Sequence, residues 1–174
     1  STALAGGKRL NNKMLAIALA TVAVGALVGV AAYGQTIRHG SIVADVKVPS
    51  RADNFRLVDQ HSKAHELYYF KNAKAVVIIT QVNGSQYVKS ATPAIKALKH
   101  KYAGQDVVFL MLNSSLTDSP KAVAAEMAKI GLDIPVMTDD AQLVGESLGV
   151  TREAQAFVIQ PKTWNVVYSG PIDD

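Results

Sequence analysis

A chain of 174 residues with no cysteine has room for one ordinary domain and an appendage. The missing sulfur excludes disulfides, thiolate nucleophiles, iron–sulfur clusters and covalent haem attachment. Its net charge of +4 is unevenly placed: Lys8, Arg9 and Lys13 meet no acid before Asp45, and the chain after residue 33 carries 15 basic against 14 acidic residues. A near-neutral remainder without an arginine-rich stripe makes no case for nucleic acid as a partner.

Residues 1–13 form a basic tail. Met14 to Tyr33 then reads MLAIALATVAVGALVGVAAY, twenty residues without a charge. As a helix this segment spans about 30 Å, the thickness of a bilayer's hydrocarbon core, and it is longer than the apolar region of a cleaved signal peptide. An uncleaved transmembrane helix over 14–33 is therefore expected. Lys8, Arg9 and Lys13 lie close before it, while Arg38, Lys47 and Arg51 are spread thinly behind it. That bias puts the N-terminus in the cytoplasm and the rest outside, a single-pass arrangement with a periplasmic domain if the membrane is a bacterial inner membrane. Gly25 and Gly29 share one helix face in a small-xxx-small spacing, a candidate interface for a second membrane helix.

Residues 34–52 hold Gly34, Gly40 and Pro49 without a sustained period and read as a linker, which starts the globular domain at 53. A short strand is expected in DNFRLVDQ (53–60), followed by a polar turn through HSKAHELYYF. The β-branched run KAVVIIT (74–80) reads as a buried central strand. After a turn at Asn83-Gly84, Ala94, Ile95, Leu98 and Tyr102 recur at helical spacing, with Pro93 either starting that helix or kinking a longer one. VVFLML (107–112) is a second buried strand. Ser119-Pro120 opens a helix with Val123, Met127 and Ile130 on one stripe, stopped by Gly131. IPVM (134–137), a helix over about 141–148 ended by Gly149, and the strands 156–160 and 165–169 around a turn at 161–163 complete the chain. The order describes an α/β fold with a mixed sheet and flanking helices.

With these words in this order, residues 53–174 resemble the redoxin branch of the thioredoxin-like superfamily, the alkyl hydroperoxide reductase and thiol-specific antioxidant group. The resemblance rests on DNFRLVD, NGSQYVKSATPAIKALKHKYAG, DVVFLMLNSS, IPVMTDDAQLVGESLGVTR and AFVIQPKTWNVVYSGPIDD. It implies a redox cysteine in the turn after the first central strand and a cis-proline facing it. This chain departs at both: the turn reads Asn83-Gly84-Ser85-Gln86, and by register Ala154 stands at the proline position. Serine neither ionises near neutral pH nor cycles through oxidised sulfur, so peroxidase and disulfide chemistry is not expected from this chain and no cofactor is implied. Such folds continue after the last hairpin into a final helix. Here Gly170-Pro-Ile-Asp-Asp174 follows directly, so an uncovered apolar sheet face is expected.

Several other residues carry groups capable of chemistry. Ser85 as a hydrolase nucleophile needs an imidazole base, and His39 and His100 stand in no catalytic motif. His61 and His65, four apart, would share a helix face and are weak metal candidates, but a third or fourth ligand is missing and they read as surface side chains. Lys96, Lys99, His100 and Lys101 read as a solvated basic face or a surface for an acidic partner. Met111, Met127 and Met137 read as core, and Trp164 and Tyr168 as hairpin packing. The resulting expectation is a membrane-anchored, catalytically inactive thioredoxin-like subunit, docked with other membrane-protein subunits of a bacterial complex, possible settings being respiratory or photosynthetic electron transfer. The alternatives are an oxidoreductase that borrows a partner's thiol and a periplasmic ligand or metal carrier.

Overall fold

The computed structural model describes residues 48–172. The basic tail, the apolar segment 14–33 with Gly25 and Gly29, and His39 lie outside the described residues. Among the described residues no helix is long and apolar enough to cross a membrane.

The elements run β1 (Arg56–Asp59), β2 (Ala64–Glu66), a 3-10 turn (Leu67–Phe70), β3 (Ala75–Thr80), α1 (Gln86–Lys101), β4 (Val107–Asn113), α2 (Pro120–Ile130), β5 (Val136–Thr138), α3 (Leu143–Leu148), β6 (Gln155–Gln160) and β7 (Asn165–Pro171). They build a seven-stranded sheet in the order β2-β1-β5-β4-β3-β6-β7. β3, β4 and β5 are parallel, and β1, β2, β6 and β7 add antiparallel edges. This is the thioredoxin-like mixed sheet that the sequence implied. β3 is central because all six of its residues are buried, a run only a strand covered on both faces can carry.

Both faces of the sheet are covered. On one, Val77, Ile79, Met111 and Val158 meet Val88, Ile95 and Leu98 of α1 and Val123 and Met127 of α2. On the other, Val76, Ile78, Leu110, Leu112, Phe157 and Ile159 lie beneath Ala52, Leu67, Leu148 and Trp164. Ala52 is wholly buried, Arg51 bridges Asn165, and the Val166 amide donates to Ser50 O. The packed domain therefore begins no later than Val48, earlier than the boundary at 53. Trp164 stacks on Tyr68 at 4.2 Å, so it secures the lead-in as well as the hairpin. The expected bare sheet face is absent among the described residues. Ala156, Val158 and Ile172 are buried, and the exposed large apolar side chains, Val58, Tyr69, Tyr87, Leu116, Leu143 and Val167, come from six separate segments.

Helix boundaries follow local chemistry. Ser119 caps α2 by accepting from the Ala122 amide, and Gly131 ends it at φ 67°, a left-handed angle that glycine adopts without a Cβ penalty. Pro93 lies inside α1 and not at its start.

The first hairpin differs most from expectation. His61 is exposed in the turn, but His65 is buried on strand β2, so no helix aligns the two. His65 Nε2 lies 2.7 Å from Asp59 Oδ2, while the His61 and Lys63 amides donate to Asp59 Oδ1 at 2.8 and 3.0 Å. Burial pushes the Asp59 carboxyl up, but the bonds from His65, Lys63 and His61 outweigh it and hold the group below its ordinary 3.8. Asp59 thus stabilises the fold fully above that ordinary value and less as pH falls through its lower folded value. Asp59→Asn should cost about 1–3 kcal/mol at neutral pH by leaving buried donors poorly matched. Denaturant titrations should show the gap to wild type narrowing below about pH 4; a pH-independent gap would contradict the role given to the carboxylate.

Candidate functional site

β3 ends at Thr80, and the next five residues turn the chain into α1. Ser85 is the N-cap of α1: its Oγ accepts from the Val88 amide at 3.1 Å, and its hydroxyl donates to the Glu153 carboxylate. Its two neighbours are also held by carboxylates. The Asn83 amide donates to Asp118 at 3.0 Å and the Gly84 amide to Glu126 at 3.3 Å. Carboxylates from the β4–α2 loop, from α2 and from the α3–β6 loop thus fasten three consecutive residues. A helix N-terminus carries partial positive charge and favours an anion. Here the protein's own acids supply it.

A buried amide network locks the same turn from below. Gln81, 1% exposed, donates to Asn83 Oδ1 at 2.9 Å and accepts from Asn113 Nδ2 at 2.8 Å, and Asn113 Nδ2 also reaches Asp118 at 3.0 Å. Across the site, Thr80 holds the turn into β6. Its Oγ1 donates to Arg152 O at 2.7 Å and accepts from the Gln155 amide at 2.9 Å, and its carbonyl accepts from the Ala154 amide at 3.0 Å. Ala154 is buried with φ 53°, and the described residues contain no cis peptide bond. An L-residue in that region costs about 1–2 kcal/mol, offset here by the Thr80 bonds.

Ser85 and Ala154, singled out in the sequence, are thus brought to one place, with Glu153 between them. Glu153, Asp118 and Glu126 stand in no motif that marks them in the sequence. Their only sequence signal was the position of Glu153 directly before Ala154. The histidines among the described residues are elsewhere: His61 and His65 on the β1–β2 hairpin, His100 in the last turn of α1. A carboxylate that anchors a hydroxyl already engaged as a cap makes a structural clamp, and among the described residues no imidazole stands beside it to relay a proton. Among the described residues no group of three or more His, Asp or Glu side chains could hold a metal ion. The basic cluster is partly structural, since Lys99 Nζ donates to Asp133 O just past the C-terminal end of α2, a favourable place for a cation. The three methionines of the domain are buried core.

Two clefts open on the site. One of about 480 Å³ is lined by Asn83, Ser85, Gln86, Tyr87 and Glu153. The other, about 620 Å³, runs between α1 and the end of β7, with Ala91, Ala94, Arg152 and Ile172 among its walls. Tyr87, Ser90 and Glu153 line both.

Fold and site together define a thioredoxin-like domain with a hydroxyl, and no sulfur, at the head of its first central helix. The chain belongs to the Redoxin family, whose model matches residues 46–171. Among solved structures it is similar to a hypothetical protein from Sinorhizobium meliloti 1021, at 25% identity and TM-score 0.66 over 74% of this chain and 72% of that one. It is also similar in fold to a putative thiol:disulfide interchange protein DsbE from Chlorobium tepidum (14% identity, TM-score 0.62, 72% and 85% covered). A third likeness is to the peroxidoxin BcpB from Mycobacterium tuberculosis (16%, TM-score 0.60, 72% and 85%). No curated protein matches it.

Installing a thiol tests the electrostatics. In Ser85→Cys the Glu153 carboxylate should disfavour a neighbouring thiolate, so alkylation at neutral pH should be slow. Adding Glu153→Gln removes that charge and should lower the thiol's midpoint by about one unit, close to tenfold in reactivity. An unchanged alkylation pH profile would show that Glu153 does not act on this position.

Proposed function

We propose that this protein is a membrane-anchored, catalytically inactive redoxin that serves as a docking subunit of a larger bacterial membrane complex. The observation that carries the reading is the site itself. Ser85 and Ala154 stand as degenerate redox positions, and Ser85 is tied into a cap and a carboxylate clamp. A sulfur-free site has no group that accepts and returns electrons, whereas the fold around it stays fully packed. Function is then left to surfaces, as expected when a fold outlives its chemistry.

The anchor in this proposal is the apolar segment 14–33, N-terminus cytoplasmic and domain periplasmic, with Gly25 and Gly29 forming the face against partner helices. An electron-transfer assembly, respiratory or photosynthetic, is the setting the family suggests, since structural neighbours bear names such as thiol:disulfide interchange protein. The cleft beside Tyr87 and Ile172 supports a second reading, a carrier of a small ligand. Borrowing a partner's thiol is the remaining enzymatic alternative.

Two measurements test the proposal. The purified protein should consume no peroxide and reduce no disulfide above a no-protein control; thiol-dependent turnover that survives removal of contaminating reductases would refute inactivity. Gly25→Leu together with Gly29→Leu should leave membrane insertion intact, because leucine suits lipid, and reduce co-purification of partner subunits several-fold. Undiminished assembly of the double variant would confine the segment to anchoring.

A further inference from the structure

The near-neutral domain is polarised. β3 and β4 start side by side, Ala75 opposite Val107, and the Lys74 amide donates to Asp106 O. β6 runs antiparallel to β3, so its end and the turn to Asn165 come to this same edge, where Arg51 bridges Asn165. α1 also finishes here, at Lys101. One edge of the sheet therefore gathers Arg51, Lys71, Lys74, Lys101 and Lys162, all exposed, against Asp53, Asp106 and Asp133. Beside Lys71 projects Tyr69, 78% exposed, the most exposed large apolar side chain described. The opposite edge, where α1 begins, carries Asp118, Glu126, Asp140 and Glu153 against Arg152 and Lys121.

The basic edge is also where the chain enters the domain, since residues 48–52 run along the β6–β7 turn. Only residues 34–47 separate it from the apolar segment 14–33, a stretch that reaches at most about 50 Å even when extended. We propose that this edge rests on an anionic lipid surface, the face of the bilayer that residues 14–33 cross, with Tyr69 at headgroup level and the clamped Ser85 edge turned away. This rests on the membrane-anchor reading. Lysines close to an anionic surface each favour association about fivefold, tyrosine is enriched at membrane–water interfaces, and a short tether keeps the edge at high local concentration.

The cysteine-free chain lets a single engineered cysteine report position. The full chain is reconstituted in phosphatidylcholine vesicles with and without phosphatidylglycerol, carrying a fluorophore at Asn72→Cys on the basic edge or at Leu116→Cys on the opposite one. A headgroup-attached quencher should quench residue 72 several-fold more than residue 116, only when phosphatidylglycerol is present. High salt or the variant K71E/K74E/K101E/K162E should abolish the difference, while circular dichroism confirms that the variant folds. Equal quenching at both positions, or quenching indifferent to phosphatidylglycerol, overturns the proposal; so does an unquenched residue 72, the result expected if an acidic protein is the true occupant. Carbonate extraction separates the two readings. Protein that stays in the membrane keeps the anchor whatever the quenching shows, and protein that is released ends both.

Discussion

The hydrogen bonds at the end of β3 are the constraint on which the site depends. Thr80 is the last residue of the central strand, and its hydroxyl and carbonyl together hold Arg152, Ala154 and Gln155. Gln81 follows at once and fastens Asn83 on one side and Asn113 on the other. Two adjacent residues thereby fix the turn before α1 against both the β4–α2 loop and the turn before β6. Thr80, Gln81, Asn113 and Gln155 of this network are buried, so an unmatched donor or acceptor on any of them would cost about 1–3 kcal/mol. Its consequence is that Glu153 is delivered to Ser85, while Ala154 is held in a left-handed conformation it would not choose alone.

That delivery changes what the head of α1 can do. Helix N-termini attract negative charge, and in a thiol-bearing relative a thiolate is the natural beneficiary. Here Glu153 sits on the cap hydroxyl and Asp118 and Glu126 on the two amides before it, so negative charge already stands beside that end of α1. A carboxylate beside position 85 is a setting that disfavours a neighbouring thiolate. The carboxylates accept from the two amides before the cap and from the cap hydroxyl itself, while Ser85 Oγ holds the Val88 amide of α1. This is the physical content behind reading the domain as structural.

Much of the fold was legible because its signals were local. Six buried β-branched or apolar residues in β3, Ser119-Pro120 before α2, and Gly131 and Gly149 after helices each name their own structure. The lead-in was not legible, because Ala52, Leu67 and Trp164 earn their burial from partners far apart in sequence. Nor was the β1–β2 hairpin: three residues of strand carry too little periodicity, and an i,i+4 histidine pair looks the same on a helix face as across a turn. Ser85 and Ala154 could be found by comparison with a motif. Glu153 could not, since its role arises only from Thr80 folding the turn before β6 onto the head of α1.

Charge is where the two scales meet. A sum over the domain returns almost nothing, because an excess of basic side chains at one end of the parallel strands offsets an excess of carboxylates at the other. Sequence order alone cannot show this separation, since Arg51, Lys74, Lys101 and Lys162 lie in four distant segments. The sheet topology collects them: parallel β3 and β4 start together, antiparallel β6 ends there, and α1 must return to that edge to launch β4. The same topology sends the turn before α1 and the turn before β6 to the other edge, where Ser85 and Glu153 meet. The Ser85 turn and the end reached by the lead-in at residues 48–52 are therefore on opposite edges. On the membrane-anchor reading proposed above, a tether at the basic edge would leave the carboxylate-clamped edge, where Tyr87 and Leu116 are exposed, facing the aqueous side.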